Sequence, residues 1–149
     1  MRAVCQRVGR ARVVVGDEVV GQIGAGWAIL LGVGPGDDEA VVAKLVDQVI
    51  GLRAFDDKSG KMNLSAADVG AEFLVVSQFT LYADLSRGRR PGFTGAAPPA
   101  VAAPLVERFA EMVRERGFRV ETGRFGALMD VELTNNGPVT IVLTTDGWG

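Results

Sequence analysis

Two short runs of alternating apolar residues bracket the segment Asn135-Asn136-Gly137-Pro138. Met129, Val131 and Leu133 precede it, and Val139, Ile141 and Leu143 follow. A period of two gives each flank the pattern of a strand with one buried face. Asn, Gly and Pro between two such strands mark a tight turn. Asn-Gly turns are common in hairpins, so spacing alone favours a simple hairpin connection. The chemistry allows more. Proline donates no backbone hydrogen bond, and a cis bond before it is accessible. Glycine at 137 leaves no Cβ to crowd a neighbour. Such a turn is bare of side chains and presents its carbonyl oxygens as rigid acceptors.

The rest of the chain supplies further strands and two helices. Val13-Val14-Val15 and Val19-Val20 flank Gly16-Asp17-Glu18, where glycine first in the turn suits a type II′ hairpin. Trp27 to Val33 is almost unbroken apolar sequence and reads as a central strand covered on both faces. Asp37 or Asp38 caps a helix in which Val41, Leu45 and Val49, with Val42, Val46 and Ile50, form one apolar face; Gly51 suits its stop. Short strands are expected at 52–55 and 118–120, and a buried strand at Glu72 to Val76. Pro98-Pro99 leads into a second helix with Val101, Leu105, Phe109 and Val113 on one face, ended by Gly117. Arg124-Phe125-Gly126 reads as a turn and residues 146–149 as a loose tail. The expectation is a single α/β domain over 1–149. Its sheet is mostly antiparallel and barrel-like, covered by two main helices.

Composition removes several function classes. The 149 residues hold 48% apolar and 23% charged side chains, which is the balance of a soluble globular protein. A net charge of −2 excludes an overall basic nucleic-acid binder but leaves room for a local basic patch. Without any histidine, Ser-His-Asp and Cys-His mechanisms are excluded and the commonest metal ligand is missing. The single cysteine, Cys5, permits no internal disulfide and fits a reducing, cytoplasmic compartment; it reads as a buried core thiol. No stretch is long enough to span a bilayer, and no signal-peptide region is evident. Asp56, Asp57 and Asp68 do not follow the EF-hand spacing, so they read as a solvated turn, and no metal or cofactor is expected.

Two other segments carry candidate chemistry. Ser77-Gln78-Phe79-Thr80 lies where a buried strand emerges, and spacing alone reads it as a strand end that satisfies its own hydrogen bonds. Hydroxyls, an amide and free backbone N–H groups there also suit a polar substrate. Thr80 lacks a base to activate it and makes a poor nucleophile; main-chain donors to an oxyanion are a better use of the position. Arg87, Arg89 and Arg90 form the most basic segment, which reads either as a solvated loop or as a phosphate contact with Phe93 available to stack on a base.

Ser77-Gln78-Phe79-Thr80-Leu81 followed by Asn135-Asn136-Gly137-Pro138-Val139-Thr140 resembles the D-aminoacyl-tRNA deacylase family, whose pattern is SQFTL plus NxGPxT. The likeness runs over nearly the full length. It includes Gln6-Arg7-Val8, Gly60-Lys61-Met62-Asn63-Leu64, Gly88-Arg89-Arg90-Pro91 and Thr122-Gly123-Arg124-Phe125-Gly126. Gly92 stands where members more often carry Ser, and Asn136 where Asp is usual. The resemblance implies a homodimer, without cofactor, that hydrolyses the ester between a D-amino acid and the terminal ribose of tRNA and also accepts glycyl-tRNA. It implies that Gly137-Pro138 is a cis dipeptide inserted into the partner's pocket, where its carbonyls hold the substrate's α-amino group and exclude an L side chain. Arg7 would brace the dipeptide, with Asn135 and Thr140 in support. Ser77, Gln78, Phe79 and Thr80 would form the floor that reads the terminal adenosine. The tRNA 2′-hydroxyl would help activate water. The competing readings are a non-catalytic tRNA- or RNA-binding module that uses the arginine segment, and a dimeric scaffold whose Gly-Pro turn only packs an interface.

Overall fold

Strand β1 (Arg2–Val15) is the axis of the fold. It pairs antiparallel with β2 (Glu18–Ile23) and β3 (Gly26–Gly32) on one side and with β8 (Asp130–Thr144) on the other. Strand β6 (Glu72–Ser77) runs parallel to β3, and β7 (Val120–Thr122) parallel to β6. The order is β2-β1-β3-β6-β7 with β8 on β1, so the sheet is mostly antiparallel, as expected, with a parallel part at β3-β6-β7. Its two ends nearly meet: a Cβ at Gly21 of β2 would run into the Thr122 carbonyl of β7. That approach makes the sheet a nearly closed barrel. The computed structural model describes residues 1–147; Trp148 and Gly149 of the expected tail lie outside the described residues.

Helices α1 (Glu39–Gly51) and α3 (Pro99–Glu115) cover one face. Asp38 caps α1 by accepting from the Val41 amide, as the sequence suggests, but Gly51 is still helical and Leu52 is the cap. On α3 the buried stripe is Ala102, Val106, Phe109, Ala110 and Val113; Val101 is exposed and Leu105 only partly covered. A four-residue spacing alone fixed the stripe one position off its centre, because the helix buries the i, i+3, i+4 set. A short α2 (Ala66–Val69), capped by Ser65, and a 3-10 turn (Phe79–Tyr82) were not anticipated. The strand expected at 52–55 is only β4 (Phe55–Asp56), paired with β5 (Met62–Leu64), and the one expected at 118–120 lies at 120–122.

Two clusters fill the protein. Trp27, Ile29 and Leu31 of β3 and Phe73 and Val75 of β6 face the helices. Ala28, Leu74 and Val76, the intervening residues, face the barrel interior with Val8, Ala11 and Val13. Burial on both faces explains the nearly unbroken apolar runs at 27–33 and 73–76.

The segment around Gly137 corrects the sequence reading most. It is not a hairpin between two strands. Both flanks belong to β8 and pair with β1 in one direction, Thr140 opposite Gln6 and Asn135 opposite Val8. Four residues, 136–139, therefore stand against Arg7 alone and bulge out of the ladder. A second shift, between Val8 and Arg10, lets odd residues of β1 face the helices at Ala3 and Cys5 but the barrel interior at Ala11 and Val13. The bulge at 136–139 makes the matching switch in β8, sending Val139 and Ile141 to one cluster and Met129 and Leu133 to the other. Turn residues signalled a departure from the ladder but not whether the chain reverses. The tail is also less loose than expected: Asp146 accepts from the Tyr82 hydroxyl at 2.7 Å.

Candidate functional site

The end of β6 builds the first half of the site. Buried Val75 and Val76 carry the strand outward to Ser77, and the Gln78 amide still donates to the Leu31 carbonyl at 2.8 Å. The chain then tightens into the 3-10 turn. Its first turn bond runs from the Leu81 amide to the Gln78 carbonyl at 3.3 Å, so the amides of Phe79 and Thr80 precede the turn's own hydrogen bonds. The Gln78 side chain donates to the Thr80 hydroxyl. Arg2 fixes the turn from behind, donating to the Leu81 carbonyl at 2.9 Å and lying 4.2 Å from the centre of the Tyr82 ring.

A cleft of about 420 Å³ opens here, lined by Ser77, Gln78, Phe79, Phe93, Pro98 and Phe125 among others. Phe79 and Phe93 meet edge to face, with ring centroids 5.0 Å apart. Phe79 is exposed at 58% although it lies within an apolar wall, which is the surface a flat ring can cover. Sequence reasoning groups Ser77, Gln78 and Phe79 in one floor and assigns Phe93 to the arginine segment, and the fold brings all four to one cavity. Thr80 follows in the turn. Phe125, Gly126 and the Pro98-Pro99 start of α3 were read only as punctuation, yet they close the cleft. An aromatic residue inside a Gly-flanked turn was the signal available for Phe125.

None of the lining residues is ionisable. Tyr82, just behind the turn, has its hydroxyl pushed upward in pKa, first by burial and then by its hydrogen bond to Asp146, so it stays a donor and supplies no base. Burial pushes the Cys5 thiol up to about 12, leaving it inert in the core.

The basic segment sits beside the cleft. Asp84 and Gly92 exchange backbone hydrogen bonds at 2.8 and 2.9 Å and close the loop that carries Arg87, Arg89 and Arg90. All three arginines are exposed. Hydrogen bonds from the side chain and amide of Ser86 hold the Asp84 carboxyl below its ordinary pKa, so the loop's base stays charged. Phe93 follows the closure directly, which joins the loop to the cleft wall.

The second half of the site is the β8 bulge. Gly137-Pro138 is cis, and both residues are exposed. Asn135 spans the base of the bulge, its side-chain amide donating to the Arg7 and Val139 carbonyls at 2.9 Å each. Those bonds replace ladder bonds that the bulge gives up. Arg7 is only 6% exposed. It was expected to bond the dipeptide itself, but its Nε donates to the Asn136 carbonyl, one residue earlier, at 3.2 Å. Its Nη1 donates to the Ala54 carbonyl at 2.8 Å and the Asp56 carboxylate at 3.1 Å. A Cβ on Gly137 would stand 2.9 Å from Arg7 Nη2 and 2.8 Å from Val139 Cγ2, at a φ of +123° that side chains rarely adopt. The glycine is therefore required by both space and backbone. Thr140 lies outside this group and accepts from Gln6 Nε2 at 3.4 Å. Asp56, read from sequence as surface charge, was missed; nothing in spacing links it to Arg7.

Neither Gly137 nor Pro138 lines the cleft, and among the described residues no hydrogen bond joins the bulge to Ser77, Gln78, Phe79 or Thr80. Among those residues, too, no group of acidic and cysteine side chains is placed to hold a metal ion, and no helix is long and apolar enough to cross a membrane.

The family model described as D-Tyr-tRNA(Tyr) deacylase matches residues 4–144. A D-aminoacyl-tRNA deacylase from Roseiflexus sp. (strain RS-1) is 60% identical over 143 residues, covering 96% of this chain and 92% of the relative. One from Symbiobacterium thermophilum is 58% identical over 146 residues, covering 98% and 97%. Among solved structures, one titled c-Myc DNA Unwinding Element Binding Protein superposes with a TM-score of 0.91 at 40% identity, covering 99% of this chain and all of that one. A probable eukaryotic D-amino acid tRNA deacylase shares the fold, with a TM-score of 0.83 at 18% identity and 95% and 97% coverage.

Proposed function

The chain belongs to the D-Tyr-tRNA(Tyr) deacylase family, and on that premise we propose that it hydrolyses the ester between a D-amino acid and the terminal ribose of tRNA, releasing both. The observation that carries the reading is one chain holding an apolar cleft at Ser77-Gln78-Phe79 and an exposed, side-chain-poor ledge at Gly137-Pro138. The cleft takes the terminal adenosine, with Phe79 and Phe93 against the base. The amides of Phe79 and Thr80 donate to the ester oxygen as it gains charge. With no ionisable side chain in the lining, the proton of the attacking water passes to the substrate, through the ribose 2′-hydroxyl. The acyl carbon–oxygen bond breaks, and the departing ribose oxygen takes a proton.

The protein works as a homodimer in which each ledge enters the partner's cleft. There the carbonyls of the ledge receive the α-amino group, and an L side chain would collide with main chain. Selection is by exclusion, which needs a rigid wall. Glycyl esters, having no side chain, pass the same wall. Arg87, Arg89 and Arg90 contact phosphates of the acceptor end, and the tRNA substrate puts the work in the cytoplasm. The test is turnover of D-Tyr-tRNA against L-Tyr-tRNA: release of D-Tyr with L-Tyr-tRNA spared supports the reading, and equal rates or none on both defeat it.

The structure titled as a DNA-element binding protein favours a second reading, a nucleic-acid binding module built on the exposed arginines. It requires salt-sensitive binding of uncharged tRNA or DNA without ester turnover.

A further inference from the structure

We propose that Asp56 is a positioning residue for stereochemical selection: with the Ala54 carbonyl it fixes the orientation of the Arg7 guanidinium, and through it the seat of the ledge at 136–138. The proposal rests on the reading of that ledge given above.

The guanidinium is planar and rigid, so fixing one of its ends aims the other. One end, Nη1, meets two acceptors, the Ala54 carbonyl at 2.8 Å and the Asp56 Oδ1 at 3.1 Å. One acceptor would leave rotation about its own hydrogen bond free; a second removes it. The opposite edge then faces the ledge, Nε on the Asn136 carbonyl and Nη2 against Gly137. The acceptors are themselves held. Asp56 is in β4, and its neighbour Phe55 packs on Trp27 with ring centroids 5.3 Å apart. Trp27 is the residue opposite Arg7 across the β1–β3 ladder. A path of packed groups thus runs from the core to the ledge through Arg7.

Charge points the same way. The Arg7 side chain is 7% exposed, and Asp56 is the carboxylate paired with it among the described residues. A buried cation without its counter-charge turns toward water. The Asp56 side chain is itself 52% exposed, so the pair adds little to stability. Its effect lies in direction.

The test uses the full-length protein with Asp56→Ala and Asp56→Asn, and two readouts. The first is the ratio of kcat/KM for D-Tyr-tRNA to that for L-Tyr-tRNA. The second, which needs no substrate, is exchange protection of the Arg7 Nε–H by nitrogen-15 NMR. Asp56→Ala should lower the ratio about tenfold, chiefly by admitting the L ester, and speed Nε–H exchange. Asp56→Asn keeps an oxygen acceptor but not the counter-charge and should fall between wild type and Asp56→Ala. Should Asp56→Ala not fold, Asp56→Ser, too short to reach Arg7, carries the same expectation. An unchanged ratio with wild-type Nε–H protection overturns the proposal. So does a fall in both activities that leaves their ratio intact, because that marks a structural role. Wild-type protein inert on both esters would defeat the deacylase reading instead, and the Nε–H exchange would still decide the placement of Arg7.

Discussion

Arg7 Nε lies 3.2 Å from the Asn136 carbonyl, joining residues 129 positions apart at the bulge where β8 leaves the β1 ladder. A buried guanidinium beneath a bulge supplies donors where strand pairing has stopped. Removing it would strand the buried Ala54 carbonyl and release the more exposed Asn136 one, and a buried acceptor without its partner costs about 1–3 kcal/mol. Arg7→Ala should therefore lower stability by about 2–4 kcal/mol in urea unfolding. Arg7→Lys should restore little of this, since an ammonium cannot reach Ala54, Asp56 and Asn136 as one plane. Full recovery by lysine would show that only charge matters there.

Gly137→Ala tests the ledge itself. The added Cβ would meet Arg7 Nη2 and Val139 Cγ2 inside 3 Å, in a backbone region that disfavours it. Loss of stability of about 1–3 kcal/mol is expected, together with a fall in the preference for the D ester. A variant with wild-type melting and wild-type D-over-L ratio would show the ledge to be irrelevant.

Phe79→Ala tests the cleft. Stacking of one base on an aromatic ring is worth about 1–3 kcal/mol, which is roughly 5- to 150-fold in affinity for the adenosine end. The loss should fall on KM more than on kcat. An unchanged KM would move the adenosine elsewhere.

Thr80→Ala separates backbone from side-chain chemistry. The cleft offers no ionisable neighbour to activate the Thr80 hydroxyl, whereas the Thr80 amide survives the substitution. Activity should drop by less than about tenfold. Complete loss in a folded variant would reinstate the hydroxyl as nucleophile.

Stability should fall on the alkaline side. Burial raises the Cys5 thiol from 9.0 to about 12. The folded state then holds a proton that the unfolded chain releases, so stability is full below pH 9 and declines as pH rises toward 12. Tyr82, also raised, adds the same sign over a higher range. Urea midpoints at pH 8 and pH 10.5 should differ in that direction, and Cys5 should react with a thiol reagent only on unfolding. Rapid native-state modification would contradict its burial.

Much of this architecture was legible in the sequence, and the failures have physical causes. The central strand at 27–33, the Asp38 cap and the Gly117 stop follow from local chemistry that sequence records directly. Ser77, Gln78 and Phe79 were legible as a strand end, but their union with Phe93 and Phe125 depends on where the loop closed by Asp84 and Gly92 returns. The β8 bulge was misread as a hairpin because the same residues serve both, and only the partner strand decides. Asp56 was invisible because its bond to Arg7 spans 49 positions between elements that share no pattern.

Subunit mixing tests most directly the proposal that the ledge of one protomer serves the cleft of its partner. A ledge-defective Gly137→Val protomer and a cleft-defective Phe79→Ala protomer are each expected to be impaired alone. Re-associated at random in equal amounts, half the dimers are mixed, and each mixed dimer rebuilds one intact site of two. Recovery of about a quarter of wild-type D-Tyr-tRNA turnover is then predicted. Turnover no higher than that of the two variants measured apart would mean that each chain uses its own ledge, and would contradict the account.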